Sequence, residues 1–314
     1  MTDSDRPPPR QYRLSGLTVR SDFELPMRTS RPSDDLRPPD VLFELGEAPE
    51  SLPHFSHRGP NWTANQRSFL LDLPGIGRFL SEDGCRLMLR PAPGAFLDDI
   101  AVFATGTAMA AILYQRGAML LHASAVVHDG RAFLFCGASG SGKSTIAGAL
   151  VQAGATFLAD DVCSIDQSAG RPPVVLTDGR CLRLYPDSID QVGLRDGVGD
   201  RVRRRIDKFH VTPAATSHAV QEYAPLGGIY ILSNSTAAAP PGVRPMPLLE
   251  AAQSLLHHTY RRRLALAYGR EGQVARDAAR LLSQVPVFHL RRPLDFDRLD
   301  ESVAMIRRHW ASRG

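Results

Sequence analysis

The run Gly137-Ala138-Ser139-Gly140-Ser141-Gly142-Lys143-Ser144 constrains this chain more than any other stretch, because it matches the pattern G-x-x-x-x-G-K-[ST]. What flanks it is the context that pattern needs. Arg131–Cys136 is a short apolar run that reads as a buried strand entering the loop. After it, Ile146, Ala149, Leu150 and Ala153 recur at helical spacing, and Gly154 stands where a helix stops. Glycines let the backbone turn so that several N–H groups converge on one anion, and a helix beginning at Lys143 adds its positive end. Gly137 to Ser144, with Thr145 next in line, therefore read as a cradle for a nucleoside triphosphate. Within it Lys143 reaches the phosphates and the Ser144 hydroxyl serves Mg²⁺.

Lysine usage sharpens the point. Of 37 Lys plus Arg residues, only Lys143 and Lys208 are lysines. A chain that prefers arginine everywhere else keeps a compact ammonium on a flexible stem at the loop. Lys208 is left open between a phosphate or substrate contact and a chance survivor.

At 314 residues, 43% apolar and 22% charged, the chain reads as a globular protein of one large or two ordinary domains. The net charge of +4 is modest, and the only dense basic runs are Arg203–Arg205 and Arg261–Arg263. No zinc-finger spacing or RNA-binding aromatic pattern accompanies them, so they read as solvated faces and nucleic acid is not an expected partner. Cys85, Cys136, Cys163 and Cys181 show no C-x-x-C spacing and read as reduced core thiols. Met1–Arg13 is polar and proline-rich, unlike a signal peptide, and the apolar stretch Thr107–Leu121 is short and broken by Gln115 and Arg116. A cytoplasmic enzyme without a membrane partner is the expectation.

In chain order, residues 1–10 read as a loose tail. Residues 11–97 read as a small β-rich N-terminal domain, with strands expected at Leu14–Val19, Val41–Leu45, Ser68–Leu73, Gly77–Ser81 and Arg86–Leu89. Residues 98–314 read as an α/β domain. It opens with a helix over Asp98–Gln115, followed by paired strands on either side of Asp129-Gly130, with His122 on the first of them. A strand over Ala155–Ala159 ends in Asp160-Asp161. Adjacent carboxylates allow one to sit near a metal while the other takes a proton from an attacking hydroxyl. Successive strand side chains point oppositely, so both serve one site only if the chain bends there. The segment Asp196–Thr216 reads as a basic loop able to close over the nucleotide or as plain surface. Helices are expected at Leu248–His258, Gln273–Leu282 and Phe296–His309, with Val285–Leu290 an edge strand next to Pro286. His257-His258 reads as a helix end, not a metal site.

His122 in LLHASAV, the loop GASGSGKST, and LADDV around Asp160 and Asp161 together resemble the catalytic domain of HPr kinase/phosphorylase and its relatives. The specific likeness covers about residues 119–166 and extends weakly to Leu182–Asp187, PLGGIYIL and VPVFHLRRP. It implies a P-loop kinase domain of that type, a mixed sheet flanked by helices, using ATP and Mg²⁺. Carried over residue by residue, it makes Asp160 the general base, Asp161 and Ser144 metal-side residues, Lys143 the phosphate contact and His122 a helper. Asp160→Asn would then abolish transfer while ATP binding survives. The family's downstream acidic signature has no clear counterpart, though Asp187 stands in that neighbourhood. The N-terminal part also differs from that of the bifunctional enzymes. The chain thus looks closer to divergent relatives that phosphorylate a serine in a peptide or small protein, such as a lasso precursor peptide. A free amino acid or other small hydroxyl compound as acceptor, a non-catalytic ATP-binding regulator, and a homo-oligomer stay open.

Overall fold

Ser15 and Gly16, both left-handed at φ 52 and 79°, turn the first hairpin, β1 (Arg10–Leu14) to β2 (Leu17–Ser21), where the alternation of Leu14–Val19 reads as one strand. The structure, a computed structural model, describes residues 9–27, 38–168, 170–179, 181–213 and 222–313. Most of the tail expected at 1–10, and the end of the expected basic loop at 214–216, lie outside the described residues.

β3 (Val41–Leu45), β4 (His57–Gly59), β5 (Trp62–Ala64), β6 (Ser68–Leu73), β7 (Gly77–Glu82) and β8 (Arg86–Pro91) complete an eight-stranded sheet ordered β1-β2-β3-β8-β7-β6-β5-β4. β4 and β5 escape sequence reading because three residues are too few to show an alternation. One face of this sheet buries Tyr12, Phe43, Phe69, Phe79 and Leu87. What covers that face is α1 (Leu97–Phe103), a π-helical turn over Ala104–Ala108, and α2 (Met109–Gln115). The expected helix 98–115 is thus one helical run with a widened middle. It is apolar and long enough to cross a membrane by length and composition, yet most of it is buried inside the fold.

The second sheet holds the phosphate loop. β9 (Met119–Leu121), β10 (Ala123–His128), β11 (Arg131–Cys136), α3 (Lys143–Gln152), β12 (Thr156–Asp160), β13 (Cys163–Asp166) and β14 (Val174–Leu176) follow in the chain. After them come β15 (Leu182–Leu184), α4 (Pro186–Val192), β16 (Val198–Arg203), β17 (Ile206–Val211), β18 (Tyr223–Asn234) and β19 (Gly242–Pro245). The chain closes with α5 (Leu248–His257), α6 (Arg262–Ala267), α7 (Glu271–Leu282), β20 (Val287–Arg292) and α8 (Leu299–Ala311). The sheet path is β12-β10-β11-β18-β14-β13-β9, with β20 paired to both β18 and β19. β11, β18 and β20 are mutually parallel in sequence and the remaining pairs antiparallel, so the sheet is mixed.

Alternation along β11 explains the layering. Ala132, Leu134 and Cys136 face a core shared with α5 and α7, while Phe133 and Phe135 face α3, α4 and α8. The chain is a mixed α/β protein whose second sheet lies between two helical layers. Two expectations change here. β20 has a partner on each side, so Pro286 precedes an interior strand, where its missing N–H falls outside the ladder. The segment read as a loop from Asp196 is largely the hairpin β16–β17, which joins β15 in a three-stranded sheet.

Candidate active site

Gly140 and Gly142 take φ of 80 and 78° on either side of Ser141, so the loop curls into a concave turn before α3 begins at Lys143. At Gly142 the left-handed φ strains any other residue, and a Cβ would push on the Arg292 guanidinium. Arg292, at the end of β20, is 3% exposed and donates to the carbonyls of Ser141 at 2.7 Å and Pro293 at 3.1 Å. It braces the loop from beneath, its pKa lowered by burial. Lys143 Nζ donates to the carbonyls of Gly137 at 2.9 Å and Ala138 at 3.2 Å, folded back over the concavity. Burial lowers the pKa of this ammonium, with Asp160, the nearest carboxylate influence, opposing.

The two aspartates part company at the end of β12. Asp160 is buried; its Oδ1 accepts from Ser124 Oγ at 2.5 Å and Ser144 Oγ at 2.9 Å, and its Oδ2 from the Arg183 backbone N–H at 3.0 Å. Asp161 has a left-handed backbone at φ 75°, a conformation that costs a non-glycine residue about 1–3 kcal/mol. That bend swings its carboxylate to the same cavity, 3.2 Å from His122 Nδ1 and 3.1 Å from Arg183 Nη1. The resemblance implies Asp161 on the Ser144 side; the hydrogen bond instead joins Ser144 to Asp160.

His122 sits in the break between β9, which pairs with β13, and β10, which pairs with β11 and β12, not within a strand as its sequence setting implies. Its backbone N–H donates to the His258 carbonyl at 2.8 Å. Its Nδ1 lies 2.9 Å from the Asp161 carbonyl as well as near the Asp161 carboxylate. Two acceptors at Nδ1 put the proton there and leave Nε2 as the basic nitrogen.

These groups converge on one cavity of about 810 Å³, lined by Ser139, Gly140, Gly142, Lys143, Ser144 and Thr145 on one side and by His122, Asp160, Asp161 and Arg183 on the other. Gly137 and Ala138 border the adjoining recess beside His258, and Ser141 packs its hydroxyl inward, beneath the loop. Asp187 and Lys208 line the large cavity too, Lys208 Nζ lying 4.7 Å over the Tyr185 ring. Beyond the loop the wall changes to Val102, Phe103, Gly106 and Thr107 from the helical run with the π turn, a distortion frequent at functional sites.

Sequence reading missed Ser124, Arg183 and Arg292. The first was legible in principle, only two residues after His122; the two arginines carry no signal among so many others. Among the described residues no three His, Cys, Asp or Glu side chains form a metal cluster, and no disulfide is present.

No family model matches this chain, and no curated protein does. Among solved structures it is similar to the HPr(Ser) kinase/phosphatase from Coxiella burnetii, at 14% identity and a TM-score of 0.35, covering 62% of this chain and 97% of that one. A likeness of that size carries no argument about chemistry, which rests on the cavity itself.

His258 gives the site a pH dependence of its own. Burial, then the neighbouring His257, lower its pKa from 6.5 to about 4. The unfolded chain therefore binds more protons between those values, so stability is intact above 6.5 and falls as pH drops towards 4. The loss approaches about 3 kcal/mol. His258→Phe is expected to flatten that acid limb in melting temperature against pH; an unchanged limb refutes the assignment.

Proposed function

We propose that the chain is an ATP-dependent kinase that transfers the γ-phosphate to a serine hydroxyl of a peptide or small protein. The observation that carries this is the meeting of Lys143, Ser144 and Asp160 with the His122–Asp161 pair in one cavity. A nucleotide-binding regulator has no need for an oriented imidazole beside its phosphates.

Mg²⁺ fits the donor set, since Ser144 Oγ and Asp160 Oδ1 are hard oxygens 2.9 Å apart at the mouth of the loop. The ion would be held by these two residues and would supply neutralisation of phosphate charge. The chain's own groups do the rest. The triphosphate draws Lys143 away from the loop carbonyls, and its ammonium then faces charge growing on the transferred oxygens. The serine hydroxyl gives its proton to His122 Nε2 as its oxygen bonds to the γ-phosphorus and the bond to the β–γ bridging oxygen breaks, releasing ADP. Asp161 holds the imidazole in its tautomer and stabilises the imidazolium, the logic of an acid–histidine pair. Asp160, its oxygens engaged by Ser124, Ser144 and Arg183, positions the serine of the loop.

Among the described residues, Arg183 Nε and Nη2 are buried and without a hydrogen-bond partner, although the side chain lines the cavity. The transferred phosphoryl group is the partner they fit. Arg183→Met is expected to lower kcat about 10²-fold with little change in KM for ATP, and Arg183→Lys to recover part of it. A kcat within twofold of wild type refutes the contact. The reading as a whole is tested with γ-labelled ATP and serine peptides. Label on serine that vanishes in Lys143→Met supports it, and bound ATP with no transfer to any peptide or small alcohol overturns it.

A further inference from the structure

Each of the two arginine runs that read as solvated faces in the sequence sends one residue, Arg203 or Arg261, to the cavity wall. Arg203–Arg205 ends β16 and forms its turn into β17, Arg261–Arg263 opens α6, and next to the two lining arginines Arg204, Arg205, Arg262 and Arg263 are exposed. Arg203 is committed to Asp99 at 3.2 Å. Arg205, Arg261, Arg262 and Arg263 have no carboxylate partner among the described residues.

The second run is also placed against local preference. Arg261 is left-handed at φ 47°, and α6 carries arginines and no acid in its first turn, where the helix dipole favours negative charge. Tyr260 links it to the chemistry: the Arg261 guanidinium lies 5.7 Å over the Tyr260 ring, whose centroid is 6.1 Å from that of His122.

Resting on the kinase reading, we infer that the acceptor is an acidic peptide segment, its reactive serine entering the cavity while carboxylates on either side dock on the two arginine runs. Val102, Phe103, Val202 and Ile206 supply apolar wall for the side chains between. A single-stranded nucleic acid fits less well. It needs free aromatic faces for its bases, and here cations already cover them: Arg204 over Phe96, Arg203 over Phe103 and Lys208 over Tyr185.

Binding is measured directly, without turnover, by fluorescence anisotropy of the full chain with a non-hydrolysable ATP analogue and Mg²⁺ at low ionic strength. Three labelled probes are compared: a peptide with a central serine flanked by glutamates, its glutamine counterpart, and a single-stranded RNA of equal charge. The glutamate peptide is expected to bind about tenfold tighter than the glutamine one, with the advantage shrinking as salt is added. Arg205→Ser combined with Arg262→Ser and Arg263→Ser removes that advantage, while the same positions changed to lysine keep most of it; melting curves verify that both sets fold. Equal affinity for the two peptides, an undiminished advantage in the serine variant, or RNA binding tighter than the acidic peptide overturns the inference. Failure of the kinase reading shows separately, as no transfer to a peptide that nonetheless binds with the expected preference, which leaves the acidic-peptide site standing.

Discussion

Lys143→Met lowers phosphoryl transfer by about 10³-fold and, without nucleotide, raises the melting temperature. Both effects follow from one buried ammonium. Lys143 is 8% exposed and, among the described residues, donates only to the carbonyls of Gly137 and Ala138, with no carboxylate within hydrogen-bond reach. Desolvation lowers its pKa below 10.5, so the unfolded chain holds the proton more tightly than the folded one. Folding therefore carries a penalty that is fully present below the lowered folded value and fades as pH climbs to 10.5. Methionine fills similar space and titrates nowhere, so the variant gains most below that window and the gap closes above it. With nucleotide the order reverses. A ligand at a hundred times its Kd stabilises the wild type by about 2.7 kcal/mol, and the variant forfeits most of that for want of the phosphate contact. Melting curves with and without Mg·ATP measure both. A variant that melts lower when nucleotide-free, or that keeps the full nucleotide shift, contradicts this account of Lys143.

How far the site was legible follows from which interactions are local. The phosphate loop is a contiguous run whose glycines and flanking strand and helix all lie within a few residues, so the sequence displays it whole. The helix at 97–115 and strands such as Val41–Leu45 and Ser68–Leu73 are likewise visible, because amphipathic period and length decide them. The division of labour between Asp160 and Asp161 is not local. It depends on the left-handed turn at Asp161 and on Ser124 and Arg183 arriving from β10 and β15, and no pattern in LADDV encodes either. Arg292 reaches the loop from about 150 residues away in sequence. The hairpin β16–β17 was hidden for another reason: β16 is charged and largely exposed and β17 is buried only at its end, so neither strand shows a burial alternation, although Val202 and Val211 are buried.

That non-local division is where a second large effect lies. His122→Ala and Asp161→Asn are each expected to cut kcat by about 10²–10⁴-fold while the thermal shift with Mg·ATP persists, because the Asp161 carboxylate faces His122 and Arg183 and the His122 ring faces Asp161. Imidazole added to His122→Ala restores part of the rate, since the cavity vacated beside Asp161 admits the missing base; a purely structural histidine gives no such rescue. Asp160→Asn behaves differently from what the resemblance implies. An amide offers one oxygen where the carboxylate accepts from Ser124, Ser144 and the Arg183 N–H. Its NH₂ group is left facing a donor, at a cost of about 1–3 kcal/mol for an unsatisfied buried group. Lower stability and a weakened nucleotide shift should therefore accompany its loss of activity. If Asp160→Asn instead keeps full nucleotide binding and loses only transfer, while His122→Ala turns over at the wild-type rate, the proton goes to Asp160 and the His122–Asp161 pair is an ornament of the fold.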